Sequence, residues 1–166
     1  HPPWLVDELF KQWPEQAEQI LAHNNMRPPM TLRANERQNS REELLKQLHV
    51  ASVGAQAGKF SNTAIYLDQP CPLANLPGFE NGQLSVQDEA SQLVPALLQL
   101  SPGQSVLDAC AAPGGKTCHI LESECSLTYM LALDRTSDRV NKIKDNLTRL
   151  HLEATTLCAD VNSPST

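Results

Sequence analysis

The chain has 166 residues, of which 40% are hydrophobic and 19% charged, which is typical of a soluble globular protein that buries a core. With 13 basic and 19 acidic side chains, its formal net charge is −6, so overall charge does not favour nucleic-acid binding. No apolar run reaches the roughly 18 residues of a membrane helix, and no basic leader indicates a signal peptide. Because the first residue is His1, we interpret the chain as a segment of a longer product.

The cysteines and histidines predict neither a disulfide framework nor a metal site. The five cysteines are an odd number and contain no Cys-x-x-Cys pair, whereas disulfide-stapled secreted domains have even sets at tight spacing. Zinc sites pair such ligands with histidines at short spacing, and the five histidines are scattered. We therefore expect free thiols, a cytoplasmic location and no bound metal.

The first half of the chain predicts a small α+β unit. Apolar residues at three- and four-residue steps predict an opening helix with Trp4 and Trp13 in the core. Ser40 and Glu43 form a capping box that starts another helix. Residues 69–82 contain three prolines and two glycines and are interpreted as a linker or domain boundary. The predicted helices are 4–13, 15–22 and one from the capping box to His49, and the predicted strands are 30–35 and 63–67. Apolar and polar residues alternate in 30–35, which predicts a half-buried strand with Arg33 and Asn35 on its polar face.

The second half alternates strands with helices. A helix is expected from Val86 to Leu97, with Pro95 kinking or dividing it. The strands that follow are predicted at 105–110, 129–134 and 154–160, with helices at 116–124 and 136–150. Strand, helix, strand, helix, strand at this spacing predicts half of a doubly wound parallel sheet.

A glycine-rich turn, from Asp108 to Thr117, joins the first of these strands to its helix. Gly114 and Gly115 allow a ligand to approach the backbone, and the start of the helix offers amides to anionic groups. A phosphate-binding loop would need glycine where Cys110 stands, and the dinucleotide fingerprint Gly-x-Gly-x-x-Gly is absent. A turn that only closes the junction between strand and helix is the alternative without a ligand.

Two aspartates follow the next two strands and favour a nucleoside-shaped ligand. Asp134 ends the second strand, the position from which a carboxylate accepts hydrogen bonds from ribose hydroxyls. Asp160 ends the third strand, where it is placed to meet an adenine amino group. Isolated aspartates at strand ends are usually turn formers, but polar features at three neighbouring strand ends indicate one site.

The segment Asp-Ala-Cys-Ala-Ala-Pro-Gly-Gly-Lys-Thr at 108–117 resembles the S-adenosylmethionine motif of the Sun-type RNA cytosine methyltransferases. In that family, the bacterial member modifies carbon 5 of a cytosine in 16S ribosomal RNA. Residues 27–35 resemble the opening of the family's RNA-binding subdomain, and 76–82 and 86–92 resemble the segment that leads into its catalytic domain. The order of these segments is also that of the family.

The resemblance implies a fold, a domain division and a cofactor. The fold class is α/β: an incomplete Rossmann-like S-adenosylmethionine-dependent methyltransferase domain preceded by a small α+β RNA-recognition-like subdomain. Residues 1–84 would form that subdomain with its linker, and 85–166 the first half of the methyltransferase domain. Asp134 would bind the ribose and Asp160 the adenine side. The methionine and ribose part of the cofactor would be wrapped by Cys110, Ala111, Ala112, Pro113, Gly114, Gly115 and Lys116. Cys110 is expected to be a small buried thiol.

The resemblance also implies that the catalytic residues are not in this chain. Carbon 5 of cytosine becomes reactive when a cysteine thiolate adds to carbon 6. The family uses cysteines in an Asp-Ala-Pro-Cys turn and a Thr-Cys turn, after its fourth and fifth strands, which would lie beyond Thr166. We therefore expect this chain to be inactive alone. The alternatives are a nucleotide-triphosphate-binding protein with an altered phosphate loop and a non-catalytic RNA-interaction module.

The expected partner is 16S ribosomal RNA. Between Arg27 and Arg41 the only acidic residue is Glu36, and in this stretch Arg27, Arg33 and Arg37 are the predicted RNA contacts. For Arg33, local hydrogen bonding is the alternative. A second basic stretch, 135–149, is interpreted as a solvated helix face. Because a three-stranded parallel sheet leaves an edge and an apolar face uncovered, we also predict marginal stability or self-association through that edge.

Overall fold

The structure is a computed structural model that describes residues 1–163. It contains a four-stranded antiparallel sheet and a three-stranded parallel sheet. The strands are β1 (Thr31–Ala34), β2 (Ala55–Ala57), β3 (Ala64–Leu67), β4 (Leu84–Val86), β5 (Ser105–Asp108), β6 (Tyr129–Asp134) and β7 (Thr155–Cys158). The helices are α1 (Pro3–Gln12), α2 (Ala17–Asn24), α3 (Arg41–Val50), α4 (Glu89–Gln92), α5 (Val94–Leu98), α6 (Gly115–Ser123) and α7 (Ser137–Arg149).

The antiparallel sheet has the strand order β2–β3–β1–β4. Leu32 of β1 packs with Leu44 and Leu48 of α3 and with Ile65 of β3, and all four are fully buried. Helix α3 begins at the predicted cap, where the amide of Glu43 donates to the hydroxyl of Ser40. The predicted α+β unit therefore has one apolar core between this sheet and α3.

The opening helix forms as its periodicity predicts, but the prediction that its tryptophans lie in the core is wrong. Trp4 is 70% exposed and Trp13 is 48% exposed. Helix α1 packs on α2, and none of its residues is fully buried. The apolar stripe of α1 is wider than the surface that α2 covers.

Two short strands, β2 and β4, have no counterpart among the predicted elements. The helix expected from Val86 begins only at Glu89, because β4 continues to Val86, and α5 begins beside Pro95. Residues 69–82 are folded rather than an open linker, since Leu76 is buried in the first core. The predicted division between residues 84 and 85 falls inside β4, which pairs with β1.

The parallel sheet has the strand order β5–β6–β7, as the alternation of strands and helices predicts. Its core lies between the sheet and helices α6 and α7, where Ala132 and Ile143 are fully buried. Strand β6 has the predicted bounds, whereas β5 and β7 each end two residues earlier than predicted. The turn to α6 consequently starts directly after Asp108.

Arg149, at the end of α7, connects the two sheets, so the prediction that it lies on a solvated helix face is wrong. Its guanidinium donates to the carbonyl oxygens of Phe79 at 2.7 Å and Leu84 at 3.0 Å. It also donates to the hydroxyl of Ser85 and lies 4.2 Å from the centre of the Phe79 ring. The reason is that α7 ends against the segment leading into β4, which the pattern of a single helix does not reveal.

Candidate functional site

The glycine-rich turn occupies residues 109–114 and leads from β5 into α6. Gly114 has φ of +101°, and a Cβ atom there would lie 3.3 Å from the Cα of Ile143. Both facts favour glycine at this position. The hydroxyl of Thr117 donates to Asp108 at 2.7 Å, which fixes the first turn of α6 to the end of β5.

Asp134 ends β6 beside this turn, and its carboxylate is buried, with 4% of the residue exposed. It accepts hydrogen bonds from the amides of Ala112 and Arg135 and from the guanidinium of Arg139 at 2.8 Å and 3.2 Å. The hydrogen bonds from Arg139 are the main reason that the pKa of Asp134 is lowered. The carboxylate is therefore ionised and held at the edge of the sheet.

Asp134 and Asp160 line one cavity of about 390 Å³ at the carboxyl ends of β6 and β7. Asp160 lies two residues beyond β7 and accepts hydrogen bonds from the amide and side chain of Asn162 at 3.0 Å and 3.2 Å. Cys110 lines the same cavity from the glycine-rich turn. The structure thus brings together the polar groups of the three strand ends that the sequence pattern selected.

A second cavity, of about 190 Å³, is lined by the glycine-rich turn and by residues of the segment 86–91. Cys110 lines both cavities, so they adjoin at this residue. The second cavity is also lined by Gln87 and Ser91, which precede the parallel sheet in the chain. Both lie in residues 86–92, which resemble the segment leading into the family's catalytic domain, but no pattern in the sequence predicts that they contact the cofactor. The predicted cofactor residues lining this cavity are Cys110, Ala111, Ala112, Pro113, Gly115 and Lys116.

The prediction that Cys110 is buried is wrong, because this residue of the glycine-rich turn is exposed. Among the thiols in residues 1–163, the buried one is that of Cys118. Burial raises the pKa of Cys118 to about 12, so this side chain is a neutral thiol. Its place on α6, among the core residues under the sheet, gives it a packing role.

The prediction that Arg33 contacts RNA is also wrong, because its side chain is fully buried. Its guanidinium donates to both carboxylate oxygens of Glu122 in α6, at 2.7 Å and 3.1 Å. It also donates to Gln87 at 2.7 Å and to the carbonyl oxygen of Gly115 at 2.8 Å. Strand β1 is covered on both faces, which the alternating pattern did not show. Arg27 and Arg37 are exposed, and their contact with RNA stays a prediction.

A larger cavity, of about 860 Å³, lies at the amino ends of β6 and β7, beside Tyr129 and Thr155. Ligands of open parallel sheets bind at the carboxyl ends of the strands, so size alone does not make this cavity the site.

Within residues 1–163, no group of three histidine, cysteine or acidic side chains is placed to hold a metal ion. No helix in the same range is both long and apolar enough to cross a membrane.

Two protein-family models match successive parts of the chain. Residues 1–74 match the ferredoxin-like domain of RsmF/B-like methyltransferases. Residues 95–166 match the 16S rRNA methyltransferase RsmB/F model.

Curated relatives agree with these matches. The chain is 50% identical over 160 residues to the ribosomal RNA small subunit methyltransferase B of Pseudomonas putida. This match covers 96% of this chain and 37% of the relative. It is 46% identical over 167 residues to the probable ribosomal RNA small subunit methyltransferase B of Coxiella burnetii, covering 98% of this chain and 38% of the relative. The chain therefore spans less than two fifths of the length of these relatives.

Solved structures share the fold. The crystal structure of PH0851 is 27% identical with a TM-score of 0.88, and the match covers 96% of this chain and 36% of that one. NSun6 from Pyrococcus horikoshii, determined with SFG, is 17% identical with a TM-score of 0.85, over 96% of this chain and 65% of that one. The two family models and the curated relatives lead to the same assignment: the chain belongs to the RsmB/F family of 16S rRNA methyltransferases.

Proposed function

We propose that this chain is the cofactor-binding part of an enzyme that transfers a methyl group from S-adenosylmethionine to ribosomal RNA. The observation that carries the proposal is the pair of adjoining cavities at the carboxyl ends of the parallel strands. One end of this space has the ionised Asp134, and the other has the glycine-rich turn and Lys116. A nucleoside joined to an amino acid fits this arrangement, because its ribose hydroxyls can donate to Asp134 and its carboxylate can bind beside Lys116.

The ribose is proposed to bind at Asp134 and the adenine side at Asp160. A carboxylate accepts hydrogen bonds from both hydroxyls of a ribose. The amides of Ala112 and Arg135 hold the carboxylate from the backbone, whereas the side chain of Arg139 is half exposed. Arg139 is therefore the donor that can move aside for the ribose hydroxyls.

The methionine and ribose part is proposed to lie along residues 110–116. Gly115 lines the smaller cavity without a side chain, and Lys116 at the start of α6 supplies a positive charge near the helix amides. When bound, S-adenosylmethionine supplies an electrophilic methyl group. The residues of this chain bind and orient it at the open edge of the sheet.

The proposed acceptor is carbon 5 of a cytosine in 16S ribosomal RNA, and the nucleophile is proposed to come from outside residues 1–166. The sequence contains no Asp-Ala-Pro-Cys segment, and its one Thr-Cys pair is Thr117-Cys118. Cys118 is buried with a raised pKa, whereas a nucleophilic cysteine must be a thiolate within reach of the base. Because the Asp-Ala-Pro-Cys segment is absent and the Thr-Cys pair is buried, we expect residues 1–166 to bind the cofactor without transferring its methyl group.

RNA contact is proposed at Arg27 and Arg37, which are exposed in the first unit. Contacts between arginine and phosphate are independent of sequence and weaken as salt rises. Removing one phosphate contact would reduce the slope of log affinity against log salt by about 0.7 to 0.9. Filter binding of a 16S ribosomal RNA fragment to wild type and to Arg37→Gln, at several salt concentrations, measures this slope.

Isothermal titration with S-adenosylhomocysteine tests the cofactor site. We expect saturable binding that Asp134→Asn weakens at least about tenfold, because the amide donates where the ribose hydroxyls need an acceptor. Asp138→Asn is the matched control, since Asp138 is an exposed acidic residue in the first turn of α7. A folded chain that binds magnesium-ATP but not S-adenosylhomocysteine would instead support a phosphate-binding loop.

A further inference from the structure

One buried polar group beside the glycine-rich turn has no partner. Gln87 is 7% exposed, and its side-chain nitrogen Nε2 makes no hydrogen bond among the described residues. A buried amide without a partner costs roughly 1–3 kcal/mol, so such groups are few in folded proteins and each calls for an explanation. Gln87 belongs to the chain segment before the parallel sheet, yet it lines the smaller cavity with Gly115 and Lys116.

The orientation of this amide is fixed by its neighbours. Arg33 can only donate hydrogen bonds, so the atom of Gln87 that it contacts at 2.7 Å is the oxygen Oε1. The nitrogen Nε2 is then directed at the first residue of α6, where it lies 3.8 Å from the position of a Cβ on Gly115. Arg33 is held in turn by Glu122, with both side chains almost fully buried. The donor is therefore directed at the start of α6, beside the Gly115 wall of the cavity, and cannot rotate freely.

The other groups around this cavity fit the charged end of an amino acid. No side chain caps the start of the nine-residue helix α6, so the amides of its first turn and Lys116 favour a carboxylate. Asp108 lines the same cavity and offers a carboxylate to an ammonium group. A carboxylate placed beside Lys116 would meet the unpaired Nε2 of Gln87.

We propose that Gln87 is a cofactor-binding residue whose Nε2 donates a hydrogen bond to the carboxylate at the amino-acid end of the cofactor. The proposal rests on the function proposed above and extends the site to a residue outside the parallel-sheet unit. Arg33 and Glu122 are positioning residues, because they act on the cofactor through Gln87. The antiparallel sheet thereby takes part in recognising the cofactor.

The test compares two ligands that differ in one group, using isothermal titration of the full chain. S-adenosylhomocysteine carries the carboxylate, and 5′-(3-aminopropylthio)-5′-deoxyadenosine lacks only that group. Gln87→Glu keeps an acceptor for Arg33 but replaces the donor by a carboxylate oxygen. We expect wild type to prefer S-adenosylhomocysteine by about tenfold or more, the usual strength of a hydrogen bond to a charged group, and Gln87→Glu to abolish that preference.

Affinity for the decarboxylated ligand should stay within about twofold in Gln87→Glu, which shows that the site is intact. Gln99→Glu, the same change at an exposed position, should keep the wild-type preference. Gln87→Met serves as a second variant, with the same expected loss, if Gln87→Glu does not fold. A Gln87 variant that binds both ligands with the wild-type preference overturns the inference alone. Absence of binding of both ligands to folded wild type overturns the proposed function as well.

Discussion

The buried ion pair of Arg33 and Glu122 decides how firmly α6 is held on the antiparallel sheet. Both side chains are nearly inaccessible, at 0% and 4% exposure, so removing one charge leaves the other buried without a counter-ion. Burial raises the pKa of Glu122, and the Arg33 guanidinium opposes this. Such pairs contribute less to stability than to the positions of the groups they join.

Glu122→Gln should lower the free energy of unfolding by about 3–5 kcal/mol, because the charge of Arg33 then stays buried and unpaired. Arg33→Met combined with Glu122→Met should cost less than the sum of the two single changes, by about 2 kcal/mol or more. Urea denaturation of wild type, Arg33→Met, Glu122→Met and the double variant measures this coupling. Strict additivity of the single changes would contradict the importance of the pair.

His119 makes folding sensitive to acid. Its side chain is 7% exposed, and burial lowers its pKa from 6.5 to about 3. Between these values the unfolded chain binds a proton that the folded chain does not, so stability falls as the pH falls below 6.5.

We expect the free energy of unfolding to decrease by about 2 kcal/mol between pH 7.5 and pH 5 because of this one group. In His119→Leu that part of the decrease should disappear, and the unpartnered Nδ1 atom of the ring is removed as well. Chemical denaturation at several pH values, with His49→Leu at an exposed position in the last turn of α3 as the comparison, measures the difference. Equal slopes in wild type and His119→Leu would show that His119 is not responsible.

At the residue scale, the sequence predicts the position of a side chain when that position is set by the end of a single strand. Asp134 and Asp160 belong to this class, since the carboxyl ends of parallel strands must share an edge. Arg33 and Gln87 do not belong to it, because their surroundings depend on how α6 packs on β1 and β4. Alternation in β1 was interpreted as one polar face, but a strand covered on both sides buries its polar residues too.

At the scale of elements, long periodic segments were predicted closely, and short strands were not. Helix α7 and strand β6 carry enough repeats to define their bounds. Strands β2 and β4 have three residues each, which is too short for a period to appear, and their pairing with β3 and β1 defines them instead. Pairing between distant segments is not visible in local sequence.

The contact of α7 with the β4 segment depends on Arg149. Burial lowers the pKa of Arg149, but the guanidinium stays charged and donates to two carbonyl groups and to Ser85. Arg149→Met should destabilise the fold by about 2–3 kcal/mol, since several hydrogen bonds from a charged group are lost. Arg135→Met, at an exposed position two residues before α7, should change stability by less than about 0.5 kcal/mol. Urea denaturation distinguishes the two, and equal effects would contradict the bridging role of Arg149.

At the scale of the whole molecule, one face of the parallel sheet stays open within residues 1–163. Leu107 is 56% exposed and Leu157 is 42% exposed, and β7 pairs with β6 alone among the described strands. An open apolar face beside an unpaired edge favours association with a second copy of the chain.

Sedimentation velocity should therefore show a mass that rises with concentration. The double change Leu107→Thr and Leu157→Thr should shift the protein toward monomer, because it removes the exposed leucines and keeps residues that strands accept. A wild-type chain that stays monomeric at all concentrations would contradict self-association.

The central claim is that one ligand spans both cavities at the carboxyl ends of the parallel strands. The most direct measurement is a crystal structure of the protein with S-adenosylhomocysteine. We predict the nucleoside between Asp134 and Asp160, the amino-acid end beside Gln87 and Lys116, and Arg139 moved from its present contact with Asp134. Ligand density in the cavity beside Tyr129 and Thr155, with the space around Asp134 unoccupied, would contradict the claim.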